Sequence, residues 1–164
     1  MTTWPVRVHE IAIGGVSVRD VVGGLFSGDK SVLADPDVSA FIGTGVLGRF
    51  VVTFDYAGRT MYLEPGASVS EREIYDRSGL YLIRAHGGAL RVAAVTPTGP
   101  AERAGVRVDD RITAIDGARI ETRRLWQWRA YLREHAPATK VVLRIERAGA
   151  AQRDVTIQLA ELVP

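Results

Sequence analysis

The sequence predicts a mainly β chain of the α+β class, with a β-rich first part and a second part in which strands alternate with two helices. Apolar and polar residues alternate with period two through VRVHEIAIGGVSVRD and again through RFVVTFDYAGRTMYLEP, the pattern of half-buried strands. Beyond residue 78 the punctuation changes, with Gly87-Gly88, Pro100, Gly105, Asp116-Gly117 and Pro137 separating short apolar runs. There only the stretch 122–134 repeats its apolar residues at helical spacing over several turns.

Size and composition bound the possibilities. The 164 residues suffice for one ordinary domain or two small ones, and 46% hydrophobic with 24% charged residues is a normal globular balance. A net charge of +2 from 21 basic and 19 acidic residues is too small to draw a nucleic acid. The chain has no cysteine, which excludes disulfides, thiolate metal sites and a cysteine nucleophile. The opening MTTWPVRVHEIAIGG lacks the basic and apolar regions of an export signal, and no apolar run approaches the roughly 20 residues of a membrane helix. These features predict a soluble chain with no membrane span.

The elements follow in order. Val6, Val8, Ile11 and Ile13 face Val16 and Val18 across Gly14-Gly15, a hairpin signature. Residues 46–50 can form a helical turn, and 51–54 with 60–63 form a second hairpin around Ala57-Gly58. The small, polar and charged stretch 66–75 reads as a linker. Strands are expected at 80–85 and 90–95. A one-turn helix is expected at 100–104, because Pro100 suits the first helical position and Gly105 a left-handed stop. A strand at 111–115, the Asp116-Gly117 turn and a helix at 122–134 come next. In that helix Leu125, Trp128 and Leu132 share a face, Trp126 falls off it, and Arg123, Arg124, Arg129 and Arg133 make a solvated side. Strands at 141–147 and 154–159 close the chain.

This order gives three pieces a joint meaning. Gly79-Leu80-Tyr81-Leu82, then Gly99-Pro100-Ala101 through Ala104-Gly105-Val106, then Asp110-Arg111-Ile112 through Ile115-Asp116-Gly117 together resemble a PDZ domain over residues 76–162. The arrangement is the bacterial, permuted one, in which a C-terminal strand completes the sheet. Gly79 lets the chain turn so that the amides of Leu80, Tyr81 and Leu82 can converge on a carboxylate. The strand beyond it, through Ile83 and Arg84, would be the sheet edge to which an extended peptide adds. Leu80 and Leu82 on the strand, with Leu125, Arg129 and Leu132 on the helix, are the expected pocket walls. Leu125 stands where many PDZ domains that read hydroxylated peptides carry a histidine, so the resemblance implies apolar ligands. Tyr81 and Asp109 stand where smaller residues are usual.

The first 65 residues contain Gly43, Gly45 and Gly48 in the spacing of a dinucleotide fingerprint. That fingerprint must open a long helix, whereas RFVVTFDY returns to strand at once. FIGTGVLGRF followed by VVTFDY and YLEP instead resembles the later half of a retropepsin-like aspartic protease lobe, over residues 1–65. Catalysis in that family needs an Asp-Thr-Gly or Asp-Ser-Gly turn, and the chain has neither. Asp76-Arg77-Ser78-Gly79 is one residue too long, and Asp35, Asp37 and Asp55 read as structural. No Gly-x-Ser-x-Gly elbow is present, and His9, His86 and His135 lack telling partners. No catalytic residue, metal or cofactor is therefore expected in this chain. The expected function is recognition of extended or C-terminal peptide segments in service of proteolysis, in a parent aspartic endopeptidase that the resemblance places in the bacterial envelope or periplasm. The competing class is a non-catalytic adaptor for partner C-termini. Open sheet edges and a small core predict a homodimer through residues 1–65.

Overall fold

A computed structural model describes residues 2–27, 35, 37–38, 40–85 and 87–163. His86 lies outside them. The chain divides into a first unit, Met1–Glu73 with Val163, and a second, Ile74–Leu162 with Pro164.

The first unit is built from two hairpins. Strands β1 (Thr2–Ile13) and β2 (Val16–Ser27) pair antiparallel about Gly14-Gly15, and β3 (Phe50–Asp55) pairs with β4 (Thr60–Pro65). Helix α1 (Thr44–Leu47) has only four residues before β3, too short to present a helix terminus to a pyrophosphate. Val18, Val21, Val46 and Phe50 form its small core. Val18 and Val21 are three apart, which strict alternation forbids. Asp20 between them has φ of 53°, and this left-handed residue turns the strand so that both valines face inward.

Residues 66–73, expected as linker, are bonded into this unit. The buried Arg49 guanidinium donates from Nε to the Gly45 carbonyl (3.0 Å) and from Nη1 to the Glu71 carbonyl (2.6 Å). It lies 3.6 Å from the Glu73 carboxylate, which accepts the Val22 amide at 3.0 Å. Val69 packs against the core. A buried guanidinium needs such acceptors, and the segment supplies a backbone carbonyl at Glu71 and the carboxylate of Glu73.

The second unit has a six-stranded antiparallel sheet in the order β10 (Arg153–Gln158), β9 (Lys140–Glu146), β7 (Arg111–Ile115), β6 (Leu90–Val95), β5 (Leu80–Arg84), with the short β8 (Ala118–Arg119) paired to β7. Its core gathers Leu82, Leu90, Val92, Ile112, Ile115, Ile120, Trp128, Leu132, Leu143 and Ile157. Helix α2 (Pro100–Arg103) starts with its proline and stops before Gly105, whose φ is 78°. Helix α3 (Leu125–Glu134) begins three residues later than the expected 122, at the first residue of its apolar face. A 3₁₀ turn, Ile120–Thr122, precedes it, and the Gln127 side chain accepts the Arg124 amide at 2.8 Å. That reciprocal bond satisfies a free N-terminal group and fixes the helix start at Arg124.

Candidate functional site

Strand β5 is the sheet edge: among the described residues it pairs with β6 alone, and α3 packs beside it. Alternation turns Leu80 and Leu82 into the core and Tyr81 outward, with Ile83 half-buried and Arg84 exposed at the strand end. Leu132 is fully buried and Leu125 packs partly exposed against the same core. The expected pocket walls Leu80, Leu82 and Leu132 are thus core side chains, because strand and helix periodicities both point them inward. Tyr81, Ile83, Arg84, Leu125 and Arg129 are the members of the predicted set left near solvent.

The backbone of β5 is the usable surface. Ile83 faces Arg91, and the Ala85 amide donates to the Ala89 carbonyl. In an antiparallel pair bonding alternates along the strand, so the N–H and C=O groups of Leu82 and Arg84 point away from β6. These are the groups that an added strand would use.

Gly79 has φ of 74°, a conformation that a Cβ would strain. At this turn the structure departs from the expected carboxylate loop. Asp76 Oδ1 accepts the amides of Ser78 (2.9 Å), Gly79 (2.7 Å) and Leu80 (3.3 Å) and the Ser78 hydroxyl (2.7 Å). Ser78 Oγ also accepts the Leu80 amide at 3.1 Å. Of the three amides expected to converge on a ligand, the Leu80 amide is therefore already bonded within the chain. Burial lifts the Asp76 carboxyl above its ordinary range, opposed by the Ser78 hydroxyl and the three amides. These bonds make Asp76 a loop-building residue.

Arg129 projects from α3 to the edge strand. Its Nε and Nη2 donate to the Leu82 carbonyl at 3.2 and 2.6 Å, and its guanidinium lies 4.9 Å from the Tyr81 ring centroid, within cation–π range. Arg84, further along the edge, donates to the carbonyls of Gly88 and Arg123 at 3.1 and 3.0 Å. An open depression lined by Val95, Glu102 and Val106 includes no residue of β5 or α3.

The frame behind the groove is heavily bonded. Trp128 is 1% exposed, donates its indole N–H to the Ile120 carbonyl at 2.9 Å and meets Tyr131 edge to face. Asp116 in the Asp-Gly turn accepts the Tyr131 hydroxyl (2.8 Å) and the Val142 amide (2.7 Å), joining α3 to β9. Asp110 is buried against a forked pair of bonds from Arg147 at 2.6 and 2.8 Å. Asp109 adopts φ of 70°, which accounts for the glycine usual at that place. The roles of Asp76 and Arg147 were missed by sequence reading. Asp-x-Ser-Gly ahead of a strand is a side-chain-to-backbone turn signal that could have revealed the first.

Asp35 and Asp55 also serve turns: Asp35 accepts the Asp37 amide at 2.9 Å and Asp55 the Gly58 amide at 2.8 Å. Among the described residues no cluster could hold a metal ion, and no helix is long and apolar enough to cross a membrane.

Known proteins match parts of the chain. A family model described as PDZ domain matches residues 91–147. A protein of Neisseria meningitidis serogroup A, named as a zinc metalloprotease, is 46% identical over 50 residues, 30% of this chain and 10% of that protein. The HtrA-type protease AlgW with a decapeptide is 17% identical with a TM-score of 0.51, over 68% of this chain and 40% of that one. The PDZ domain of a carboxy-terminal protease from Vibrio cholerae in complex with peptide is 22% identical with a TM-score of 0.43, over 52% of this chain and 93% of that one. The chain spans about a tenth of the length of the curated relative it matches. The PDZ family match lies inside the second unit, whose edge strand runs beside a helix, and the unit has a PDZ-like fold.

Proposed function

We propose that this PDZ domain binds extended peptide segments by strand addition along β5, in the channel between β5 and α3. The observation that carries this reading is that β5 is a sheet edge whose Leu82 and Arg84 backbone groups face away from the sheet, beside a helix that can wall the added strand. Leu125 and Tyr81 supply the apolar lining, which favours ligands with apolar rather than hydroxylated side chains. Asp76 already holds the Leu80 amide, so main-chain pairing along the strand supplies more of the affinity than capture of a terminal carboxylate.

Substitution of Arg84 by proline tests this. Its N–H faces outward, so proline costs no ladder bond within the sheet, yet it removes one donor and places a ring in the path of the ligand strand. Fluorescence anisotropy with neutral decapeptides is expected to show at least about a tenfold loss of affinity for Arg84→Pro and little change for Arg84→Thr. Equal binding by both variants would contradict strand addition.

The wider role proposed is substrate recognition in proteolysis. It is supported by the proteases named among the similar proteins. An aspartic parent is supported only by the residues of FIGTGVLGRF and the β3–β4 hairpin, read as part of a retropepsin-like lobe. Association of two copies through the first unit draws support from its two open-edged sheets and from exposed Trp4, Leu25, Val51, Phe54 and Tyr56.

A further inference from the structure

Any strand that adds to β5 must pair with the Leu82 carbonyl, and that carbonyl is occupied. Arg129 donates to it twice, at 3.2 and 2.6 Å, and braces its guanidinium against the exposed Tyr81 ring. Both partners are uncharged, and among the described residues Arg129 takes part in no ion pair. Arg84, Arg123 and Arg133 near α3 have other partners, none of them a β5 carbonyl. Arg133 pairs with Glu134, Arg123 lies over Trp128 and Tyr131, and Arg84 has Glu121 as a neighbouring carboxylate. Among the described residues Arg129 thus has no ion-pair partner, and it is held over one of the two outward carbonyls, those of Leu82 and Arg84, that a ligand strand would use.

We propose that Arg129 is a latch and a selector in one: an incoming peptide amide displaces it from the Leu82 carbonyl, and the released guanidinium pairs with an acidic side chain of the same peptide. The inference rests on strand addition along β5. Displacing two charge-assisted bonds has a cost that a neutral peptide does not recover. A peptide carrying Glu or Asp beside the displaced guanidinium regains them as a forked carboxylate pair. The ligand class is therefore an extended, apolar segment with an acidic residue at the position that passes α3. Specificity is a difference of affinities, and here the closed latch weakens every ligand while the open one rewards only acidic ligands.

The test uses the full chain and acetylated, amidated decapeptides of an apolar Ala/Val background, carrying a single Glu or Gln at each position in turn. With the wild type, one Glu position should bind about tenfold more tightly than its Gln counterpart, the size of one charge-assisted hydrogen-bonded pair. Arg129→Gln should erase this preference and bind the Gln peptides more tightly than the wild type does, because the Leu82 carbonyl is freed. Arg129→Lys, which keeps the charge but loses the fork, should keep part of the preference. Retained Glu preference in Arg129→Gln, its complete loss in Arg129→Lys, or unchanged or weaker Gln-peptide binding by Arg129→Gln overturns the latch while leaving the peptide site standing. If no peptide binds the wild type or Arg129→Gln, strand addition itself falls and the latch with it.

Discussion

Replacement of Asp110 by alanine is expected to lower the unfolding free energy by about 3–5 kcal/mol, the cost of removing one partner from a buried ion pair. The Asp110 side chain is 1% exposed and that of Arg147 28%, which places the effect toward the lower end. Two guanidinium bonds and the Arg107 amide, at 2.8 Å, would lose their acceptor together. Because Arg147 also donates to the Gly105 carbonyl at 2.9 Å, the loss would loosen the stop of α2 as well as the start of β7. Removing both partners should cost less than the sum of the single losses, since the second substitution removes the stranded charge.

The same pair gives a pH dependence with a definite sign. Burial by itself raises the Asp110 pKa, but bonds from the Arg147 side chain and the Arg107 amide, with the charges of Arg147 and Arg153, outweigh it. The carboxyl is held below its ordinary range. The unfolded state therefore binds the proton more readily in acid. Stability from this group is complete above the unfolded carboxylate value of about 4 and is lost as pH falls through the lower, folded value. Urea unfolding followed by circular dichroism between neutral and acidic pH should show this fall in the wild type and a shallower one in Asp110→Asn. Identical slopes would remove Asp110 from the account.

Trp128→Ala is expected to cost about 3–5 kcal/mol, as for other buried aromatics truncated to alanine. The indole is 1% exposed, bonded to the Ile120 carbonyl at 2.9 Å, 5.8 Å centroid to centroid from Tyr131 and 4.9 Å below the Arg123 guanidinium. Trp128→Phe keeps most of the packing and loses the hydrogen bond, a net change of about 1 kcal/mol or more. Because Arg129 and Leu125 ride on the same helix, Trp128→Ala should also weaken peptide binding at temperatures where the chain is still folded. Calorimetry and anisotropy on one preparation separate the two effects. Full retention of both stability and affinity would show that α3 is not anchored through Trp128.

Periodicity made most of this fold legible. Val16 to Val18, Leu80 to Leu82 and Leu125 to Leu132 declared their faces by spacing alone, and Pro100 with Gly105 bounded α2. Local geometry hid the rest. Asp20, a left-handed residue inside β2, breaks the alternation, and no composition signal marks it. The start of α3 depends on Gln127 reaching back to Arg124, where no Ser, Thr, Asp or Asn stands at the N-cap to announce it. Arg49 binds acceptors in residues 66–73 whose small polar character reads as linker.

The site was legible in outline and not in chemistry. The Gly79 to Leu82 motif located the edge strand and its turn. Sequence spacing could not show that Asp76 bonds the Leu80 amide, or that Arg129 crosses from α3 to the Leu82 carbonyl. Both are contacts of a side chain with backbone, which depend on rotamer and register rather than on residue pattern. Leu80, Leu82 and Leu132 were expected as pocket walls because they lie on the right elements. They prove to be core because the same periodicity that places them there turns them inward.

Strand addition along β5 is tested most directly by amide hydrogen exchange of the full chain, read residue by residue with and without a saturating apolar decapeptide bearing one Glu. The outward amides of Leu82 and Arg84 should become protected on binding, by about the stabilisation that the peptide concentration supplies over its dissociation constant. Amides of the β9–β10 pair should change no more than the global stabilisation requires. Binding that leaves Leu82 and Arg84 exchanging as before, or protects only residues around Val95 and Val106, would contradict β5 as the peptide site.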